Sequence, residues 1–177
     1  MKTRLHTSII TRIGVNTDLP ELVNLNKSWY KPNLPDKTNG FLSVIYDDIF
    51  FENIIANSDL LVFLNKKKAV GYVLVNTVIE TLHINKVKAE YYRHNPEAKN
   101  MKIAYSYQIL LDKTLHGTGF FYEAKNQYVK HFKQKYDLLV STVSKDNIRS
   151  IAAHKKAGWT FIDTSDIYFL IELSLTQ

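Results

Sequence analysis

The sequence predicts a single-domain mixed α/β fold with the order β-α-α-β-β-β-α-β-α-β-β. Three observations predict it. Short runs rich in Val, Ile, Leu, Phe and Tyr recur along 177 residues with the length of strands. Two of them flank Lys66, Lys67 and Lys68 as the arms of an antiparallel hairpin. Later runs are separated by stretches with helical spacing, which imposes a parallel step. Hairpins plus a parallel step give one mixed sheet covered by helices. The length suits one domain over 1–177, and no linker, repeat or low-complexity tract divides it.

Each element has its own signal. Residues 8–14 (SIITRIG) read as a strand. Asp18 then caps a helix with Pro20 and Glu21 in its first turn, and Leu19, Leu22, Val23 and Leu25 give it an apolar side. KPNLPDKTNG at 31–40 is a loop, with two prolines and a glycine. Apolar spacing over 41–57 fits a second amphipathic helix. Strands follow at 60–64 and 69–77. Residues 80–101 are polar and mixed, and read as an insertion or cover within the domain. IAYSYQILL at 103–111 is a long strand. A helix runs from 120 to about 136, a buried strand over 138–143, and a helix over 147–157 closed by Gly158. Two strands at 159–162 and 167–175 complete the sheet.

Composition excludes several classes. Hydrophobic residues at 45% against 23% charged exclude disorder. No apolar run approaches the roughly 20 residues of a spanning helix. The first fourteen residues hold no signal core, so a cytoplasmic protein with no membrane partner is expected. The absence of cysteine excludes disulfides, a thiol nucleophile and thiolate metal sites. The six histidines never form His-x-x-x-His beside a carboxylate cluster, so no metal is expected. No Gly-x-Ser-x-Gly elbow occurs. The net charge of +6 is spread over scattered lysines, which read first as a solvated face. A phosphate-bearing cofactor, an acidic partner or a nucleic acid could also use it, nucleic acid being the weaker claimant.

Two segments carry chemistry. In QILLDKTLHGTGFF, residues 108–121, a strand leads through a two-glycine loop straight into a helix. Amides at a helix N-terminus lack intrahelical partners and face the positive end of the dipole. Glycines let an anion approach, so the loop suits phosphate or pyrophosphate. Phe120 and Phe121 after Gly119 exclude a Walker motif, and Tyr122 excludes a Rossmann fingerprint. In VSKDNIRSIAAHKKAGW, residues 143–159, the spacings of 3 and 4 put Asn147, Ser150 and His154 on one helical face. Read alone, they are first a cap, a small surface serine and a partly buried histidine.

Together the segments resemble the GNAT superfamily of acyl-CoA N-acyltransferases. That family's cofactor motif is Gln/Arg-x-x-Gly-x-Gly/Ala between a strand and a helix. Here the window is His116, Gly117, Thr118, Gly119, Phe120, Phe121. The family's later motif, Asn-x-x-Ala/Ser followed by a tyrosine and Gly-Phe, appears as Asn147, Ser150, His154 and Gly158–Trp159. His116 replaces Gln/Arg, and Phe121 replaces the last small residue.

The resemblance implies an N-acetyltransferase that moves an acetyl group from acetyl-CoA to a primary amine by direct attack in a ternary complex. Gln108, Ile109, Leu110 and Leu111 would follow the pantetheine arm. His116, Gly117, Thr118, Gly119, Phe120, Phe121 and Tyr122 would surround the pyrophosphate. Asn147 and Ser150 would line the other side. His154 would stand near the sulfur as the catalytic residue. The strand 102–111 contains no acid, so the base lies elsewhere, with Glu80, Glu90 and Asp47 as candidates. A monomer or homodimer is expected. The alternative is a GNAT-like binding module that senses acyl-CoA or binds nucleic acid.

Overall fold

The computed structural model describes residues 9–35, 40–57, 59–76, 82–163 and 165–176. Seven strands form one mixed sheet in the order β1-β2-β3-β4-β5-β7-β6. They are β1 (Ile9–Ile13), β2 (Leu60–Asn65), β3 (Lys68–Asn76), β4 (Ile103–Leu111), β5 (Leu138–Ser144), β6 (Thr160–Asp163) and β7 (Tyr168–Ser174). The expected hairpin is present. Lys66 and Lys67 form its two-residue tip with φ of 48° and 72°, the left-handed turn that matches strand twist.

The helices are α1 (Leu19–Ser28), α2 (Asp48–Ala56), α3 (Leu82–His94), α4 (Phe120–Phe132) and α5 (Ile148–Lys156). They cover both faces. In β2, Leu61 and Phe63 enter one core with Phe120, Ala124 and Tyr128 of α4. Leu60, Val62 and Leu64 enter another with Leu22, Phe51 and Ile54 of α1 and α2. Coverage on both sides explains why Leu60–Leu64 is continuously apolar rather than alternating. Among the described residues no helix is long and apolar enough to cross a membrane.

Four expectations shift. Asp18 makes no side-chain cap to α1. Its carboxylate instead accepts from Arg12 and from Val15 N. Residues 41–47 are not helical, because their backbone groups are claimed from outside. Tyr46 N donates to Asn26 Oδ1, Val44 O accepts from Gln108 Nε2, and Phe41 O accepts from Asn147 Nδ2. Asp47 then caps α2 by accepting from Phe50 N at 2.9 Å. Helix α4 ends at Phe132, and the chain beyond it places Lys135 and Tyr136 on the buried Asp59.

Within 80–101, residues 82–94 form α3, an element missing from the expected order. Ile84, Val87 and Tyr91 bury one stripe of it against Tyr105, Val140 and Leu170. Tyr91 and Tyr168 donate to Glu172 and Glu90, tying α3 to β7.

Strand β4 positions the site. Its pairing with β3 jumps from Leu74↔Gln108 to Val75↔Ser106, so Tyr107 is an extra residue, a bulge. The bulge reverses the alternation of side chains. Ala104 before it and Ile109 and Leu111 after it face the α4 core. Tyr105 and Tyr107 face the side of α1, α2 and α3. Strand β4 meets β5 in parallel only at Ile103↔Leu138, Ala104↔Leu139 and Tyr105↔Val140. Beyond that pairing the two strands part.

Candidate active site

A cleft of about 580 Å³ lies at this parting. Ile109, Leu110 and Leu111 of β4 form one wall. Asn147, Ser150, Ala153 and His154 at α5 form the opposite one. His116, Gly117 and Gly119 close one end at the start of α4, with Phe121 behind them. Trp29, Gly40, Phe41 and Leu42 line it from the segment between α1 and α2.

The glycine loop is open toward ligand. Gly117 and Gly119 have φ of 68° and 89°, and a Cβ at either would meet nothing within 4 Å. Among the described residues their amides have no acceptor, while Tyr122 N and Phe120 N donate within the loop to Gly119 O and Thr118 Oγ1. Two donors at a helix start, beside empty space, fit a pyrophosphate.

Most residues of the two sequence motifs meet here. Ile109, Leu110, Leu111, His116, Gly117, Gly119, Phe121, Asn147, Ser150 and His154 all line the cleft. Four do not. Phe120 is buried in the core edge-on to Phe63. Tyr122 is exposed under Lys125. Thr118 Oγ1 donates to Leu115 O. Gln108 points to the other face, where Oε1 accepts from Asn26 Nδ2 at 2.7 Å and from Tyr72 OH at 2.6 Å. Trp29, Phe41 and Arg149 line the cleft without any local sequence signal, because distant packing brings them there.

His154 is 9% exposed. Its Nδ1 lies 2.8 Å from Ser150 O. A carbonyl only accepts, so Nδ1 carries the proton and Nε2 is an acceptor. The rings of Phe121 and Trp159 flank it at 5.2 and 5.3 Å. Burial pushes its pKa down to about 4, against a smaller opposing effect of the Ser150 hydrogen bond. At pH 7 only about one ring in a thousand is protonated. His154 is therefore a neutral acceptor, poorly suited to supply a proton to a leaving thiolate.

Two of the carboxylates considered as bases are occupied. Glu90 accepts from Tyr168 OH and pairs with Arg93, and Asp47 caps α2. Glu80 lies outside the described residues. No group of three or more His, Cys, Asp or Glu among the described residues could hold a metal.

The chain shares its fold with the GNAT acetyltransferases. Solved structures of that class superpose over nearly the full length of the chain. An acetyltransferase of the GNAT family from Listeria monocytogenes matches with a TM-score of 0.68 and 12% identity, over 94% of each chain. Ard1 from Thermoplasma volcanium matches at 0.67 and 12% identity, over 97% of this chain and 100% of its own. A putative acetyltransferase, yncA from Salmonella typhimurium, solved with acetyl-CoA, matches at 0.62 and 11% identity, over 97% and 96%. No protein-family model matches the sequence, and no curated protein sequence matches it.

Proposed function

We propose that the protein is an acetyl-CoA-dependent N-acetyltransferase acting on a primary amine. The observation that carries this reading is the cleft between the parted strands, ending at the unengaged amides of Gly117 and Gly119. A thioester on an extended pantetheine arm that leads to a pyrophosphate matches that arrangement. Acetyl-CoA would supply the activated acetyl group.

The chain's own residues divide the remaining work. Gly117 and Gly119 would hold the pyrophosphate, and Ile109, Leu110 and Leu111 would flank the pantetheine. Asn147 already donates to Phe41 O, so it shapes the cleft by holding its roof. His154 would accept an N–H from the bound reactants through Nε2. The neutral amine attacks the thioester carbonyl, the C–S bond breaks, and a hydrogen from the amine nitrogen ends on the departing sulfur. The balance needs no acid from His154.

The test is thiol release from acetyl-CoA, read with a disulfide dye. The cysteine-free chain adds no background to that assay. A panel of tyramine, spermidine and an alanyl peptide would cover aromatic, polycationic and N-terminal acceptors. Release that depends on one of these amines supports the reading. No release, together with no calorimetric binding of acetyl-CoA, overturns it.

A further inference from the structure

Arg149 is the second residue of α5, and its side chain lines the cleft beside Gly117 and Gly119. It donates to His116 Nδ1 at 2.8 Å. A guanidinium has five N–H donors and no acceptor, so most of its donors stay available. Among the described residues no carboxylate pairs with it. The nearby Asp146 pairs instead with Lys31, at 3.6 Å. Among the described residues, Arg149 is thus a cation lining the cleft without a carboxylate partner.

His116 does not neutralise that charge. To accept from Arg149, Nδ1 must hold a bare lone pair, so the ring is neutral. Burial and the neighbouring guanidinium both push its pKa down. The ring is also fixed in place, stacked on the buried Trp29 at 4.8 Å and 27°. Gly40 makes room for the arginine: a Cβ there would stand 3.3 Å from Arg149 Cδ. The cation is thus aimed by one side chain, cleared by a glycine, and set beside two unengaged amides.

We infer that Arg149 is the phosphate-binding cation of this cleft, aimed by His116, and that it selects ligands carrying a pyrophosphate. The role of Arg149 toward coenzyme A rests on the proposed function above. The glycine loop opens with a neutral histidine where the resemblance expects Gln or Arg. Arg149 supplies the missing donor from α5 instead. Its planar fork suits two phosphate oxygens at once. His116 is a positioning residue in this arrangement.

Calorimetry with three probes tests it: inorganic pyrophosphate, acetyl-CoA, and S-acetyl-pantetheine, which has no phosphate. Arg149→Ala should weaken the first two by about tenfold to a hundredfold. It should leave S-acetyl-pantetheine unchanged and flatten the salt dependence of acetyl-CoA binding. His116→Ala should lose part of the pyrophosphate affinity. His116→Asn, which keeps an acceptor near the Nδ1 position, should restore it. Equal pyrophosphate affinity in Arg149→Ala and wild type, or an equal loss for S-acetyl-pantetheine, overturns the inference. So does a wild-type protein that does not bind pyrophosphate. Arg149-dependent pyrophosphate binding without acetyl-CoA binding would uphold Arg149 as an anion site and remove the coenzyme A reading alone.

Discussion

His154 has a consequence for stability as well as for chemistry. Unfolded, its imidazole takes a proton near pH 6.5; folded, it resists until about 4. Between those values the unfolded chain binds more protons, so acid favours unfolding. The contribution is complete above pH 6.5 and fades toward pH 4, by up to roughly 3 kcal/mol. His154→Gln should therefore lose less stability than wild type between pH 7.5 and pH 5 in thermal melts. Parallel losses would mean that the ring is not held neutral. The position of His154 beside Asn147 and Ser150 was legible from spacings of 3 and 4. Its charge state was not, because Phe121 and Trp159 come from other elements. Arg149 was missed for a related reason. On an amphipathic helix it reads as one more solvated charge until His116 is seen against it.

Between elements, one buried polar knot joins α1, β3 and β4. Asn26 donates to Tyr72 and Gln108, Tyr72 donates to Gln108, and Gln108 donates to Val44 O. All three residues are buried and mutually satisfied. Gln108→Leu leaves the Asn26 amide, the Tyr72 hydroxyl and the Val44 carbonyl short of partners. It should cost about 2–4 kcal/mol in urea denaturation and free the segment before α2. A loss under about 0.5 kcal/mol would show that water replaces the side chain. The strand content was legible because runs such as LLVFL at 60–64 leave little choice. Two elements were less legible. Residues 41–47 have helical periodicity, yet Asn26, Gln108 and Asn147 take their backbone groups. Helix α3 hides its stripe of Ile84, Val87 and Tyr91 among eight polar or charged neighbours, counting His83, Asn85, Lys86, Lys88, Glu90, Tyr92, Arg93 and His94.

For the molecule as a whole, the absence of cysteine bears on kinetics. With no thiol to carry an acetyl group, the proposed transfer has both reactants bound together. Initial rates at varied acetyl-CoA and amine should give intersecting double-reciprocal lines. Parallel lines would point to a covalent acetyl-enzyme on another side chain. The parting of β4 from β5 has a different consequence, for solubility. Past Tyr105 and Val140 these two strands no longer pair with each other. A long strand edge of this kind ordinarily invites another chain to add itself and aggregate. Here the edge faces inward, hemmed by the rest of its own sheet and by α5, with Ser141 Oγ donating to Ser106 O at its narrow end. A slender extended molecule can enter the gap, but another sheet cannot.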